Sequence, residues 1–111
     1  RKECSEVFVD EKIYEYVTRL VDCTRNPQSY DLGSLNSLIN YGASPRAGIN
    51  FIKASKVKAL LSGRSYVTPD DIKFLAHDIF RHRIALSYEA DAQEVQVDEV
   101  ITQILQKTPV P

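Results

Sequence analysis

The chain has 111 residues and a net charge of −1, from 14 basic and 15 acidic side chains. It is one domain's worth of sequence, able to bury about two-thirds of its unfolded surface but too short to hold a nucleotide hydrolase together with its regulatory part. The balanced charge speaks against a nucleic-acid footprint, and against a histone-like DNA binder in particular, because such proteins carry a strongly basic domain or stripe. No apolar run reaches the length of a membrane span, no signal segment opens the chain, and Cys4 and Cys23 have neither metal-ligand spacing nor disulfide-scaffold density, so a cytoplasmic protein with free thiols is expected.

Apolar periodicity predicts four helices. Residues 1–9 carry Val7, Phe8 and Val9 without a clean start and read as the remnant of a connection to something upstream. The first helix spans Asp10 to Thr24, with Asp10 as N-cap and Ile13, Tyr16, Val17, Leu20, Val21 and Thr24 repeating at three and four residues. Arg25-Asn26-Pro27-Gln28-Ser29 breaks that pattern. The polar stretch from Tyr30 to Tyr41, punctuated by Gly33, reads as a connection with one short helical turn at Ser34 to Ile39.

The second helix is placed from Pro45 to Ser62 as the spine of the domain. Its apolar residues fall on more than one stripe, which predicts cover from several sides, and Gly63 stands where a C′ glycine belongs. Thr68-Pro69-Asp70-Asp71 then forms the strongest helix start in the chain, with Thr68 as cap, proline at the first position and two acids in the first turn. Ile72, Leu75, Ala76, Ile79 and Phe80 give this third helix its core face, and Arg81-His82-Arg83 closes it with charge that suits the helix dipole. Alternation in Ile84 to Tyr88 and Val95 to Val97 allows a short β-hairpin or an extended loop within 84–97. The last helix begins at Asp98, shows Val100, Ile101, Ile104 and Leu105 on one face, and ends before Pro109-Val110-Pro111. An all-α fold follows, a small helical bundle with Ile52, Val57, Leu60, Leu75 and Ile79 in its core.

One segment stands out as a candidate site. In Tyr41-Gly42-Ala43-Ser44-Pro45-Arg46-Ala47-Gly48, Ser44 is a favoured N-cap, Pro45 suits the first helical position and Gly42 supplies a loose entry. The unpaired N–H groups of such a terminus and the guanidinium of Arg46 together suit a phosphate, although an ordinary capped helix with a surface arginine fits the same pattern. Other chemistry is thin. There is no Gly-rich loop ending in Lys-Ser or Lys-Thr and no run of β residues ending in paired acids for Mg²⁺. His77 and His82, five apart on one helix, point to different faces and cannot share a metal, so no metal site is expected. Asp70 and Asp71 could be paired acid–base carboxylates but are better explained as first-turn acids, while Arg81-His82-Arg83 is either a docking or phosphate-sensing patch or a basic helix end.

Three blocks, Gly42-Ala43-Ser44-Pro45-Arg46-Ala47, Gly63-Arg64-Ser65-Tyr66-Val67-Thr68-Pro69-Asp70-Asp71-Ile72 and Arg81-His82-Arg83-Ile84, resemble in order and spacing the C-terminal lid of MoxR-type AAA+ ATPases. Thr24-Arg25 and the terminal Val110-Pro111 are similar as well. The resemblance covers about Asp10 to Pro111 and implies a helical lid following an α/β core that holds ATP and Mg²⁺. It implies a homo-oligomeric ring, typically a hexamer, acting as a chaperone-like maturation factor on a protein substrate, often one with a metal-ion-dependent adhesion fold. It also makes Arg46 the sensor-2 arginine that reaches the γ-phosphate, with Gly42, Ala43 and Ser44 lining the nucleotide's edge. A stand-alone helical interaction module without a nucleotide role is the alternative.

Overall fold

Residue 10 starts the first helix as the periodicity predicts. In the computed structural model, which describes residues 6–111, the Asp10 carboxylate accepts the Lys12 N–H at 2.9 Å and opens α1 (Glu11–Arg25). Every residue of the predicted stripe on α1 is buried, and Cys23 joins them. Pro27–Tyr30 and Gly33–Leu35 follow as two 3₁₀ turns, so helical structure in the polar connection comes earlier and tighter than expected. The polar stretch is anchored by Leu32, Leu35 and Leu38, which are all buried.

Ile39–Tyr41 is extended rather than helical and forms β1, which pairs antiparallel with β2 (Ala85–Leu86), Ile39 opposite Leu86 and Tyr41 opposite Ala85. A strand near 85 therefore exists, but the hairpin expected within 84–97 does not. Its partner comes from the other half of the chain, and Tyr88–Ala92 forms the short helix α4 with the Ser87 hydroxyl capping the Ala90 N–H. Alternation signals an extended segment but carries no information on which strand completes it. Ser87 ties the ribbon down twice, its N–H to the Leu38 carbonyl at 2.9 Å and its hydroxyl to the Ser37 carbonyl at 2.6 Å.

The spine helix α2 (Arg46–Leu61) and α3 (Pro69–Arg81) form an antiparallel pair. Their register is set by Phe51 against Phe80, edge to face with ring centroids 5.1 Å apart and both side chains fully buried. The expectation of a spine covered from several sides needs correction. Only Ala47, Phe51, Ser55 and Ala59, a single stripe of spacing four, are buried on α2, while Ile49, Val57 and Leu61 are exposed. Val57 is thus not a core residue, Ile79 is, and Ile52, Leu60 and Leu75 lie partly buried at the core's edge. Gly63 does terminate the turn in a left-handed conformation, φ 76°, as a C′ glycine should.

α5 (Val97–Lys107) packs Val100, Ile101 and Ile104 into the same core. It ends with the buried Thr108 hydroxyl donating to the Ile104 carbonyl at 2.8 Å. Within the segment read as a connection remnant, Val7 is buried, and Phe8 lies alongside Tyr66 through two backbone hydrogen bonds, from Phe8 N–H to the Ser65 carbonyl and from Val67 N–H to the Phe8 carbonyl. Cys4 lies outside the described residues. The buried Cys23 is a free thiol, pushed up to about 11 by desolvation against a weaker opposing hydrogen bond with Thr108. None of the described helices is long and apolar enough to cross a membrane.

Candidate functional site

The start of α2 is held from beneath by the end of α1. Thr24, buried in the last turn of α1, donates its hydroxyl to the Val21 carbonyl at 2.7 Å and accepts the Ala43 N–H at 2.9 Å. Gly42 is pressed against the same turn. A Cβ there would collide with the Thr24 carbonyl oxygen and lie 2.6 Å from its carbon and 2.9 Å from the Arg25 Cα, all of them backbone atoms that cannot move aside. Gly42 is therefore not a loose entry. It permits a close crossing of two backbones, and the Thr24–Ala43 hydrogen bond fixes that crossing.

Beyond this clamp the chain turns outward. Ala43 is fully buried, whereas Ser44, Pro45 and Arg46 are exposed. The predicted cap is only partly realised. Pro45 already has helical angles, φ −56° and ψ −21°, but no side chain caps this terminus. The carbonyls of Ser44 and Pro45 instead accept the N–H groups of Ala47 and Gly48 at 2.9 and 3.0 Å. These tight first-turn bonds use two of the donors that the sequence leaves open. The attraction for an anion then rests on the helix dipole and on Arg46, which among the described residues makes no ion pair and no side-chain hydrogen bond.

The start of α3 is built the opposite way. The Asp71 carboxylate, 1% exposed, accepts the Thr68 N–H at 2.9 Å, two guanidinium bonds from Arg64 at 2.7 and 2.8 Å, and the Lys58 ammonium at 3.3 Å. Burial opposes ionisation of Asp71, but the Arg64 guanidinium, the Thr68 N–H and Lys58 together outweigh it and hold the carboxyl well below the usual carboxylate range. Asp71 is thus a structural carboxylate that ties α3 to the end of α2, whereas Asp70 is exposed. Sequence reasoning placed Asp71 in the first turn but missed its partners, because Arg64 is joined to it only when the turn after Gly63 folds back.

The remaining candidates disperse. His77 lies 3.2 Å from the Thr102 hydroxyl of α5, His82 is exposed beyond the end of α3, and among the described residues no group of three His, Cys, Asp or Glu side chains could hold a metal. Arg81 pairs with Asp78 at 3.2 Å and Asp98 at 3.1 Å, which joins α3 to α5. Tyr30 donates to Asp22 at 2.8 Å, and burial together with that hydrogen bond pushes its phenol up to about 12.

Comparison with known proteins places the chain in a family. The AAA lid domain family matches residues 35–104, which spans the ribbon, the clamp's Gly42 and Ala43, and the α2–α3 pair. The chain is 38% identical over 104 residues to Chaperone MoxR1 of Mycobacterium tuberculosis, covering 94% of this chain and 28% of that protein. It is 35% identical to the uncharacterized protein YeaC of Bacillus subtilis, over all of this chain and 32% of that one. A crystal structure of a provisionally named ATPase from Cytophaga hutchinsonii superposes with a TM-score of 0.96 at 41% identity, over 99% of this chain and 33% of its own. The chain thus spans about a third or less of the length of these relatives. With more than half of its residues matched and its fold reproduced across its whole described length, the chain belongs to the AAA lid domain family, in the form found in MoxR-type ATPases.

Proposed function

We propose that this chain is the lid of a MoxR-type ATPase, closing over ATP and Mg²⁺ held by an α/β core that precedes it, and that Arg46 is the arginine reporting the state of the γ-phosphate. The observation that carries the reading is Arg46 itself: an exposed guanidinium without a protein partner among the described residues, on a helix start with no side-chain cap, held in place by the Thr24–Gly42 clamp. An anion arriving there meets a full charge and the positive end of the α2 dipole together. Ser44 sits at the rim, where its exposed side chain can approach the nucleotide, while Gly42 and Ala43 contribute by setting the backbone's path. On cleavage of the γ-phosphate the contact to Arg46 is lost, and the lid's preferred position shifts by the difference in contact free energy between the two nucleotide states. The full protein then works as a cytoplasmic, chaperone-like homo-oligomeric ring, a hexamer in the simplest reading, on a protein substrate such as one with a metal-ion-dependent adhesion fold. Chaperone MoxR1 is the relative whose name supports this role.

The test is Arg46→Ala in the full-length ATPase. A charge-assisted hydrogen bond of about 1.5–3 kcal/mol, made in the transition state, predicts a rate loss of roughly 10- to 150-fold with the lid still folded. Arg46→Lys should restore only part of it, because the planar fork is lost. Wild-type turnover in Arg46→Ala removes Arg46 from the mechanism and leaves the second reading, a helical protein-interaction module. That reading is favoured by the exposed side chains of Phe8, Leu61 and Phe74.

A further inference from the structure

Arg46 is not alone at its helix start. Because Phe80 packs edge to face on Phe51, residue 83 lies about one helical turn further on, level with the first turn of α2. The chain leaves α3 in a tight turn there, with the Arg83 N–H bonded to the Phe80 carbonyl at 2.9 Å and its Nη1 donating to the Ile79 carbonyl at 3.1 Å. One donor of the guanidinium fixes its direction, and among the described residues the others have no partner. Ser44, Arg46, Ile49, Asn50 and Arg83 together line one open depression, and among the described residues no carboxylate contributes to its wall. Arg81, two residues earlier, is by contrast tied to Asp78 and Asp98. The basic triplet is therefore divided: Arg81 joins helices, and Arg83 is delivered to the depression of Arg46.

Two guanidiniums gathered in one depression without a counter-charge repel each other, and an anion carrying more than one negative charge relieves that repulsion while offering both forks an acceptor. We propose that Arg83 is a second phosphate-binding arm, forming with Arg46 a two-guanidinium site for the polyphosphate of the nucleotide. This assignment rests on the nucleotide reading of Arg46. The two arms differ in kind. Arg46 is unrestrained and can follow charge as it moves during cleavage, whereas Arg83, held by the Ile79 carbonyl, presents a fixed fork that contributes to binding the ground state.

The experiment compares Arg83→Ala, Arg83→Gln, Arg81→Ala and Arg46→Ala in the full-length ATPase, reading affinity for a slowly hydrolysed ATP analogue and for AMP alongside kcat. Arg83→Ala is expected to weaken the ATP analogue about tenfold, to leave AMP nearly unchanged and to hold kcat within about twofold, as for one lost charge-assisted contact in the ground state. Arg83→Gln, which removes the charge but keeps a polar side chain at this exposed position, should fold as wild type and show the same loss. Arg81→Ala should bind as wild type. Unchanged analogue affinity in both Arg83 variants, or an equal loss in Arg81→Ala, overturns the assignment. If Arg46→Ala slows turnover while the Arg83 variants bind normally, only the second arm fails. If Arg46→Ala turns over as wild type, the nucleotide reading itself fails and the second arm with it.

Discussion

The two long helices of the α2–α3 pair begin with the same device, a proline beside a short polar residue, and use it for opposite ends. At α3 the chain supplies its own anion: Asp71 is buried and bonded to the Thr68 N–H, Arg64 and Lys58. At α2 the Ser44 side chain caps nothing, the turn is closed only by backbone bonds, and the charge in the first turn is the cation Arg46. A helix start that is satisfied internally is fastening, and one that is firmly positioned yet unsatisfied is available to a ligand. The difference lies in the supports beneath each start. Under α3 they are ionic and close the site, whereas under α2 the Thr24–Gly42 crossing is all backbone and hydroxyl and leaves the outer face clear.

Replacing Gly42 by Ala attacks the support of the open start and should have the largest effect on stability, about 3 kcal/mol, because its Cβ meets backbone rather than a yielding side chain. A denaturant midpoint equal to wild type would show that the crossing is not needed. Asp71→Asn attacks the closed start. It should cost about 2–3 kcal/mol, since Arg64 is only partly buried and can recover some hydration. This loss carries a pH signature. The folded pKa of Asp71 is depressed, so its contribution is fully present above the unfolded value of about 3.9 and is lost as pH falls below it towards the folded value. Thermal unfolding of wild type and Asp71→Asn should accordingly converge as pH drops below about 4, and a constant gap down to the lowest pH would mean that the fold does not depress the Asp71 pKa.

Thr24→Val keeps the shape of the clamp and removes the acceptor for the buried Ala43 N–H, with an expected cost of about 1–2 kcal/mol. Ser44→Ala closes the series. A true N-cap serine would lose about 1 kcal/mol, but this side chain caps no N–H, so the change should lie within about 0.5 kcal/mol. A full capping loss, read from the same denaturation curves, would erase the contrast between the two starts.

Much of this was legible in the sequence because it is local. The stripe of α1, the Thr68-Pro69 start, the terminating Gly63 and the position of Arg46 each follow from residues within a turn or two of one another. What was not legible joins distant residues. β1 finds β2 some forty-five residues on, Gly42 meets Thr24, and Asp71 meets Arg64 and Lys58. Hydrophobicity along α2 misled for a related reason: periodicity reports which residues could be buried, and how many neighbours arrive to bury them is a tertiary fact, so Val57 and Leu61 remain exposed. In the candidate site the residue was readable and its environment was not. Arg46 stands in the first turn where the pattern puts it, but Ser44 does not act as the cap, and the arrival of Arg83 depends on how α3 packs.

The claim that the open start of α2 serves a nucleotide is tested most directly by a structure of the full-length ATPase with a non-hydrolysable ATP analogue. The account predicts a guanidinium nitrogen of Arg46 about 2.7–3.0 Å from an oxygen of the γ-phosphate, with the Thr24–Ala43 hydrogen bond intact beneath it. A fully occupied nucleotide with Arg46 turned to water or to a protein carboxylate would contradict it.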